Sequence, residues 1–186
     1  MRLFVACNID RETKDYFREK TDKLKRELPR GVKWVKPDNY HITLKFLGDT
    51  SQERAEELID RLDNISLKGQ FTCKFKGISA FPDRDYPRVL ISRVTQGREE
   101  LVELHNKIEK AATEMDFAEE KRKFTPHLTL GRIKNKADIK MAADVLTDEG
   151  FGKNLAVSDS IDSFSLMKST LKPQGPIYQE IFSREV

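Results

Sequence analysis

"HITLKFLG" (His41–Gly48) and "HLTLGRI" (His127–Ile133) open alike: histidine, an apolar residue, threonine, leucine. Together they use two of the chain's three histidines. Their reading decides the fold. Side chains of a strand alternate between its faces with a period of two. Alternation puts His41, Thr43 and Lys45 on one face and Ile42, Leu44 and Phe46 on the other. In the second stretch His127, Thr129 and Gly131 share a face, with Leu128 and Leu130 opposite. Each strand therefore offers one face to a core and displays an imidazole beside a hydroxyl on the other.

The pattern of elements extends outward from these strands. "LFVACNI" (Leu3–Ile9) is a short apolar run suited to a buried strand, and Asp10 is placed to cap the helix after it. Tyr16, Phe17, Leu24 and Leu28 give that helix an apolar stripe, with Pro29 and Gly31 at its end. Ser51 opens a second helix carrying Ala55, Leu58, Ile59 and Leu62 at helical spacing. "GQFTCKFKGISAF" (Gly69–Phe81) alternates at Phe71, Cys73 and Phe75, and "RVLISRV" reads as the next strand. Helices are expected from about Arg98 to Met115 and from about Lys136 to Leu146, flanking the second histidine strand. "LKPQGPIYQEIFSREV" supplies a turn and a last strand.

This mixture predicts an α+β fold with antiparallel sheet. His41 and His127 lie 127 − 41 = 86 residues apart, close to half of the 186. Each half reads as strand, helix, histidine strand, helix. The expectation is one bilobal domain over 1–186: two similar lobes about a pseudo-twofold axis, two antiparallel sheets enclosing a central cleft, and helices outside.

Composition sets limits. The net charge is 34 − 31 = +3, compatible with a phosphate-bearing substrate without demanding one. The two cysteines, Cys7 and Cys73, form neither a disulfide framework nor a zinc site, and buried thiols are expected. The N-terminal apolar run is too short for a signal peptide, and no stretch approaches a membrane span. A soluble cytoplasmic monomer without an obligate protein partner is expected.

Two histidines facing one cleft allow one imidazole to take a proton while the other gives one, and both work near neutrality. A hydroxyl two residues from each can donate to an anionic oxygen. That constellation suits in-line attack at phosphorus. By parity Lys45 adds charge to the cleft, whereas Arg132 falls on the face opposite His127 unless Gly131 lets the strand twist. His105, beside Leu101 and Leu104 on its helix, reads as an ordinary, partly exposed histidine. Phe4, Phe46 and Phe81 could stack on a base, but parity sends Phe46 to the core. There is no H-E-x-x-H and no G-x-S-x-G, and "GFGKN" (Gly150–Asn154) lacks the spacing of a P-loop.

The two motifs resemble the paired His-x-Thr signatures of the two-histidine phosphoesterase superfamily. With "WVKPDNYHITLKFLG", "FPDRDYPRVL", "FTPHLTLGR" and "LMKSTLKPQGPIYQEI", the chain resembles RNA 2′,3′-cyclic phosphodiesterases, historically called 2′-5′ RNA ligases. The resemblance runs in order along essentially the whole chain. It implies a bilobal α+β fold, no metal or other cofactor, and hydrolysis of an RNA 2′,3′-cyclic phosphate end to a 2′-phosphate. By motif position it implies His41 and His127 as the acid/base pair, with His41 taken as acid and His127 as base. It further implies Thr43 and Thr129 as phosphate donors and Arg132 as a contact to phosphate or the terminal nucleotide. Two alternatives stay open: joining of RNA ends without ATP by the same site, and a non-catalytic RNA- or nucleotide-binding module.

Overall fold

A computed structural model describes all residues except 29, 67–68, 136–137, 148–154 and 186; "GFGKN" thus lies outside the described residues. In chain order the elements are β1 (Arg2–Asn8), α1 (Arg11–Glu27), β2 (Val32–Trp34), β3 (His41–Asp49), α2 (Gln52–Asp63), β4 (Phe71–Phe81), β5 (Val89–Gln96), α3 (Arg98–Thr113), β6 (His127–Ile133), α4 (Asp138–Thr147), β7 (Ala156–Ile161), β8 (Ser163–Lys172) and β9 (Gly175–Glu185). A turn of 3-10 helix at Pro37–Asn39 leads into β3.

The caps form as the sequence predicts. The Asp10 carboxylate accepts from the Thr13 amide at 2.6 Å, and the Ser51 hydroxyl from the Arg54 amide at 3.2 Å. Each satisfies an amide that the helix start leaves without a partner, worth about 1 kcal/mol.

Two antiparallel sheets form, ordered β3-β1-β8-β9 and β2-β6-β5-β4-β7. The pairing β3–β1–β8 in one matches β6–β5–β4 in the other, the duplication expected from the spacing of the motifs. The lobes are not the two halves of the chain, however. β4 follows α2 yet joins the second sheet, and β2 crosses over to edge it beside β6. β8 and β9, near the end of the chain, return to the first sheet against β1.

One apolar cluster serves both sheets. Leu3, Val5 and Cys7 enter it from β1, Phe75 and Ala80 from β4, and Leu128 and Leu130 from β6. Leu58, Leu62, Leu104 and Ile108 close it from the helices. Each fully buried side chain of this size contributes about 1.5–3 kcal/mol. Cys7 and Cys73 are free and buried, as expected, and burial pushes Cys73 up to about 12 and Cys7 well above its ordinary value. Both are therefore inert thiols. Phe4, Ala6 and Ile91 are equally buried but lie outside this cluster. They occupy the alternate positions of their strands and floor the opposite faces, where the cleft lies. No helix among the described residues is long and apolar enough to cross a membrane.

Candidate active site

β3 lies against β6 where the two sheets meet. His41 and His127 stand at the starts of these strands, and each is fixed by the residue two before it. His41 Nδ1 is 2.8 Å from the Asn39 carbonyl, and His127 Nδ1 is 2.7 Å from the Thr125 carbonyl. A carbonyl only accepts, so the proton of each neutral ring sits on Nδ1 and Nε2 is left bare. On His41 that bare nitrogen is 2.9 Å from Thr43 Oγ1 and accepts its hydroxyl proton. Thr129 leaves its hydroxyl without a protein partner among the described residues.

Aromatic rings prop both histidines. Phe4 lies 5.0 Å from the His41 ring, and Phe81 lies 4.9 Å from His127 at 82°. Two of the three stacking candidates thus line the cleft as supports for the imidazoles.

Burial pushes His41 down to about 4, with Lys14 and His127 adding to the shift against the Asn39 carbonyl. His127 is lowered as well, first by burial and then by Arg132, against the Thr125 carbonyl. Burial thus favours the neutral form of both rings.

The parity of both strands breaks at the same place. On β3, Ala6 pairs with Thr43 and Val5 with Lys45, so Leu44 is an extra residue. On β6, Ile91 pairs with Thr129 and Leu90 with Gly131, so Leu130 is extra. A β-bulge of this kind inverts the facing of the residues that follow it; on β3 a second bulge, at Leu47, ends the inverted stretch.

Three expectations change with it. Lys45 does not face the cleft: it is 4% exposed, and its ammonium binds both Glu109 carboxylate oxygens at 2.8 Å and the Ala118 carbonyl at 2.9 Å. Burial alone would raise Glu109, but its bonds from Lys45 and the Glu120 amide outweigh that and hold it below the usual carboxylate value. Phe46, assigned by parity to the core, is 66% exposed, with its ring 6.1 Å from Phe4. Arg132 is exposed at the position matching Phe46 and acts electrostatically on both His127 and the Tyr178 phenol. Gly131 permits this strand path: a Cβ there would lie 2.7 Å from Val32 Cγ1 and 3.2 Å from the Trp34 ring.

His105 is buried rather than partly exposed. Its Nδ1 donates to the Leu44 carbonyl at 2.8 Å, and its ring stacks 4.2 Å from Phe124 at 13°. It thereby ties the bulge of β3 to the segment that leads into His127.

Sequence reading missed Tyr178, Asn8 and Lys14. Tyr178 meets His41 at 5.4 Å and Phe4 at 4.9 Å, edge-on to both. Asn8 pairs across from His41, and its amide donates to Ser165 Oγ at 3.1 Å and Glu180 Oε2 at 3.2 Å. Tyr178 and Asn8 come from strands that only the sheet order brings beside β3. The available signal was "PIYQEI", in which no single residue stood out.

Two corresponding strands thus each present an imidazole anchored through Nδ1, with a threonine two residues on, the pattern of the two-histidine phosphoesterases to which the comparisons assign the chain. A model of the LigT-like phosphoesterase family matches residues 9–91 and 93–178. The RNA 2′,3′-cyclic phosphodiesterase of Archaeoglobus fulgidus is 37% identical over 97% of this chain and 98% of its own. Its namesake in Methanocaldococcus jannaschii is 35% identical over 97% and 98%. A crystal structure from Thermus thermophilus superimposes with a TM-score of 0.77 at 26% identity, covering 100% of this chain and 97% of that one. The chain belongs to the LigT-like phosphoesterase family.

Proposed function

We propose that the cleft hydrolyses the 2′,3′-cyclic phosphate at an RNA end to a 2′-phosphate, without a metal. Water attacks phosphorus while one bare Nε2 takes its proton. The P–O3′ bond breaks opposite, and the other imidazole, protonated once substrate is bound, gives its proton to O3′. Thr43 and Thr129 donate to the non-bridging oxygens, whose charge grows in the transition state. In this reading His41 is the acid and His127 the base. For His41 to serve so, the bound phosphate must supply the stabilisation that burial removes from its cation. Arg132 and Phe46 are the residues to hold the terminal nucleotide, one by charge and one by stacking.

The observation that carries this reading is the shared tautomer. Both histidines are anchored through Nδ1 to a carbonyl two residues back, which leaves each Nε2 free to accept, that of His41 beside the Thr43 hydroxyl. The names of the relatives support it independently. The whole chain works here as one two-lobed domain, a cytoplasmic monomer acting on RNA.

The test incubates the protein, in excess EDTA, with an oligoribonucleotide ending in a 2′,3′-cyclic phosphate and locates the phosphate in the product. A 2′-phosphate is expected. A 3′-phosphate would reverse the leaving group, and loss of turnover on adding EDTA would demand a metal. Oligonucleotide bound but left intact would turn the reading to a binding module.

A further inference from the structure

His41 stands at one end of a cavity of about 290 Å³. Lys36, Asp38, Asn39, Met167, Ile177 and Tyr178 are among its lining residues. Three features of its wall point to one kind of occupant.

The first is an unused cation. The Lys36 ammonium has neither an ion pair nor a hydrogen bond among the described residues, although Asp38 is only two positions away. The second is an apolar ledge. Ile177 is 55% exposed at a place where a strand could have carried a polar residue, and Met167 lines the same cavity. The third is rigidity. Asn39 donates its amide to the Pro176 carbonyl at 2.9 Å, closing the β8–β9 hairpin onto the segment that anchors His41. Cavity and histidine therefore share a wall, and an occupant of one is held in register with the other.

A single accessible cation, an apolar ledge and a carboxylate acceptor match one nucleotide unit. The cation suits one phosphodiester, the ledge suits a base, and Asp38 suits an exocyclic amine or a ribose hydroxyl. Resting on the proposed reaction at the cyclic phosphate, we infer that this cavity holds the nucleotide preceding the RNA end. Its linking phosphodiester lies against Lys36 and its base against Ile177. A cyclic mononucleotide engages the histidines and threonines but leaves the Lys36 and Ile177 end of the cavity unfilled. The site thus distinguishes a chain end from a free cyclic nucleotide.

The experiment compares kcat/KM for 2′,3′-cyclic AMP with that for the dinucleotide ApA ending in a 2′,3′-cyclic phosphate. The dinucleotide is expected to be favoured about tenfold or more, the scale of one stacked base or one charged contact. Lys36→Ala should remove most of that advantage and leave mononucleotide turnover unchanged, and Ile177→Ser should remove part of it. Salt should shrink the advantage in the wild type and not in Lys36→Ala. Equal kcat/KM for the two substrates, or an equal loss on both in Lys36→Ala, overturns the inference. Should neither substrate turn over, the hydrolytic reading fails by itself, and dissociation constants then decide the subsite. A Lys36-dependent preference for the dinucleotide sustains it, and equal constants sink it.

Discussion

β3 and β6 are the same device built twice and finished differently. Each begins with a histidine held through Nδ1, carries a threonine two residues on, and bulges at the following leucine. Beyond the bulge they part. The inward position is Lys45 on one strand and Gly131 on the other; the outward position is Phe46 on one and Arg132 on the other. The supports differ too. The bulge of β3 is secured by His105, and Lys45 beside it is held by Glu109, while β6 is flanked by β2 and needs the space Gly131 leaves. The likeness falls where the proposed reaction uses two similar groups, one to take a proton and one to give it. The difference falls where a nucleotide presents two unlike sides, a base and a charged phosphate.

The likeness breaks first if the histidines are unequal. His41→Ala and His127→Ala should each lower kcat by about 10²–10⁴-fold, the range of a general acid or base. A near wild-type rate in either variant would leave its motif structural.

The supports come next. Lys45→Met strands Glu109 with the Glu120 amide as its remaining donor, and should cost about 2–3 kcal/mol of unfolding free energy by denaturant titration. A cost under 0.5 kcal/mol would mean that the pair is no more than a surface ion pair.

Acidification sharpens the comparison from another side. The folded state holds His41 at about 4, below the ordinary imidazole value of roughly 6.5. Between these values the unfolded chain binds more protons, so this contribution is present above pH 6.5 and is lost as pH falls towards 4. It amounts to about 3 kcal/mol at most. His41→Gln should flatten stability over that window and leave the part due to His127. An unchanged slope would show that burial does not set the proton affinity of His41.

The smallest effect is expected at the outward pair. Arg132→Ala and Phe46→Ala should each raise KM about tenfold with kcat nearly kept, because both act on the nucleotide rather than on the reacting bond. A fall in kcat with KM unchanged would move Arg132 to the transition state.

Much of this was legible in the sequence because a repeated motif on an alternating strand constrains both its faces. The polar faces at His41, Thr43, His127 and Thr129 and the capped helices between them come from period and caps alone. Parity failed at the leucine after each threonine, where the strand gains a residue, since a period of two cannot say where an extra residue enters. Lys45 and Phe46 were both misplaced for that single reason, and Arg132 was sent to the wrong face by it. Alignment of the two motifs held a warning: Phe46 matches Arg132, and one position cannot be core in one lobe and arginine in the other. The crossing of β2, β4 and β8 between the sheets left no local mark, because the same amphipathic strand fits either sheet. Tyr178 depended on that crossing and was invisible with it.

The return of β8 and β9 to the first sheet bears on how the protein is made. During synthesis the strand that pairs with the other edge of β1 emerges more than 110 residues after β1 and β3. Tyr178, which braces His41, comes later still. The first lobe must therefore wait, with an open strand edge, until the second is nearly complete. His41 gains its Tyr178 brace only as the closing hairpin docks, and a nascent chain that stalled before it would expose the edge of β1 to other chains.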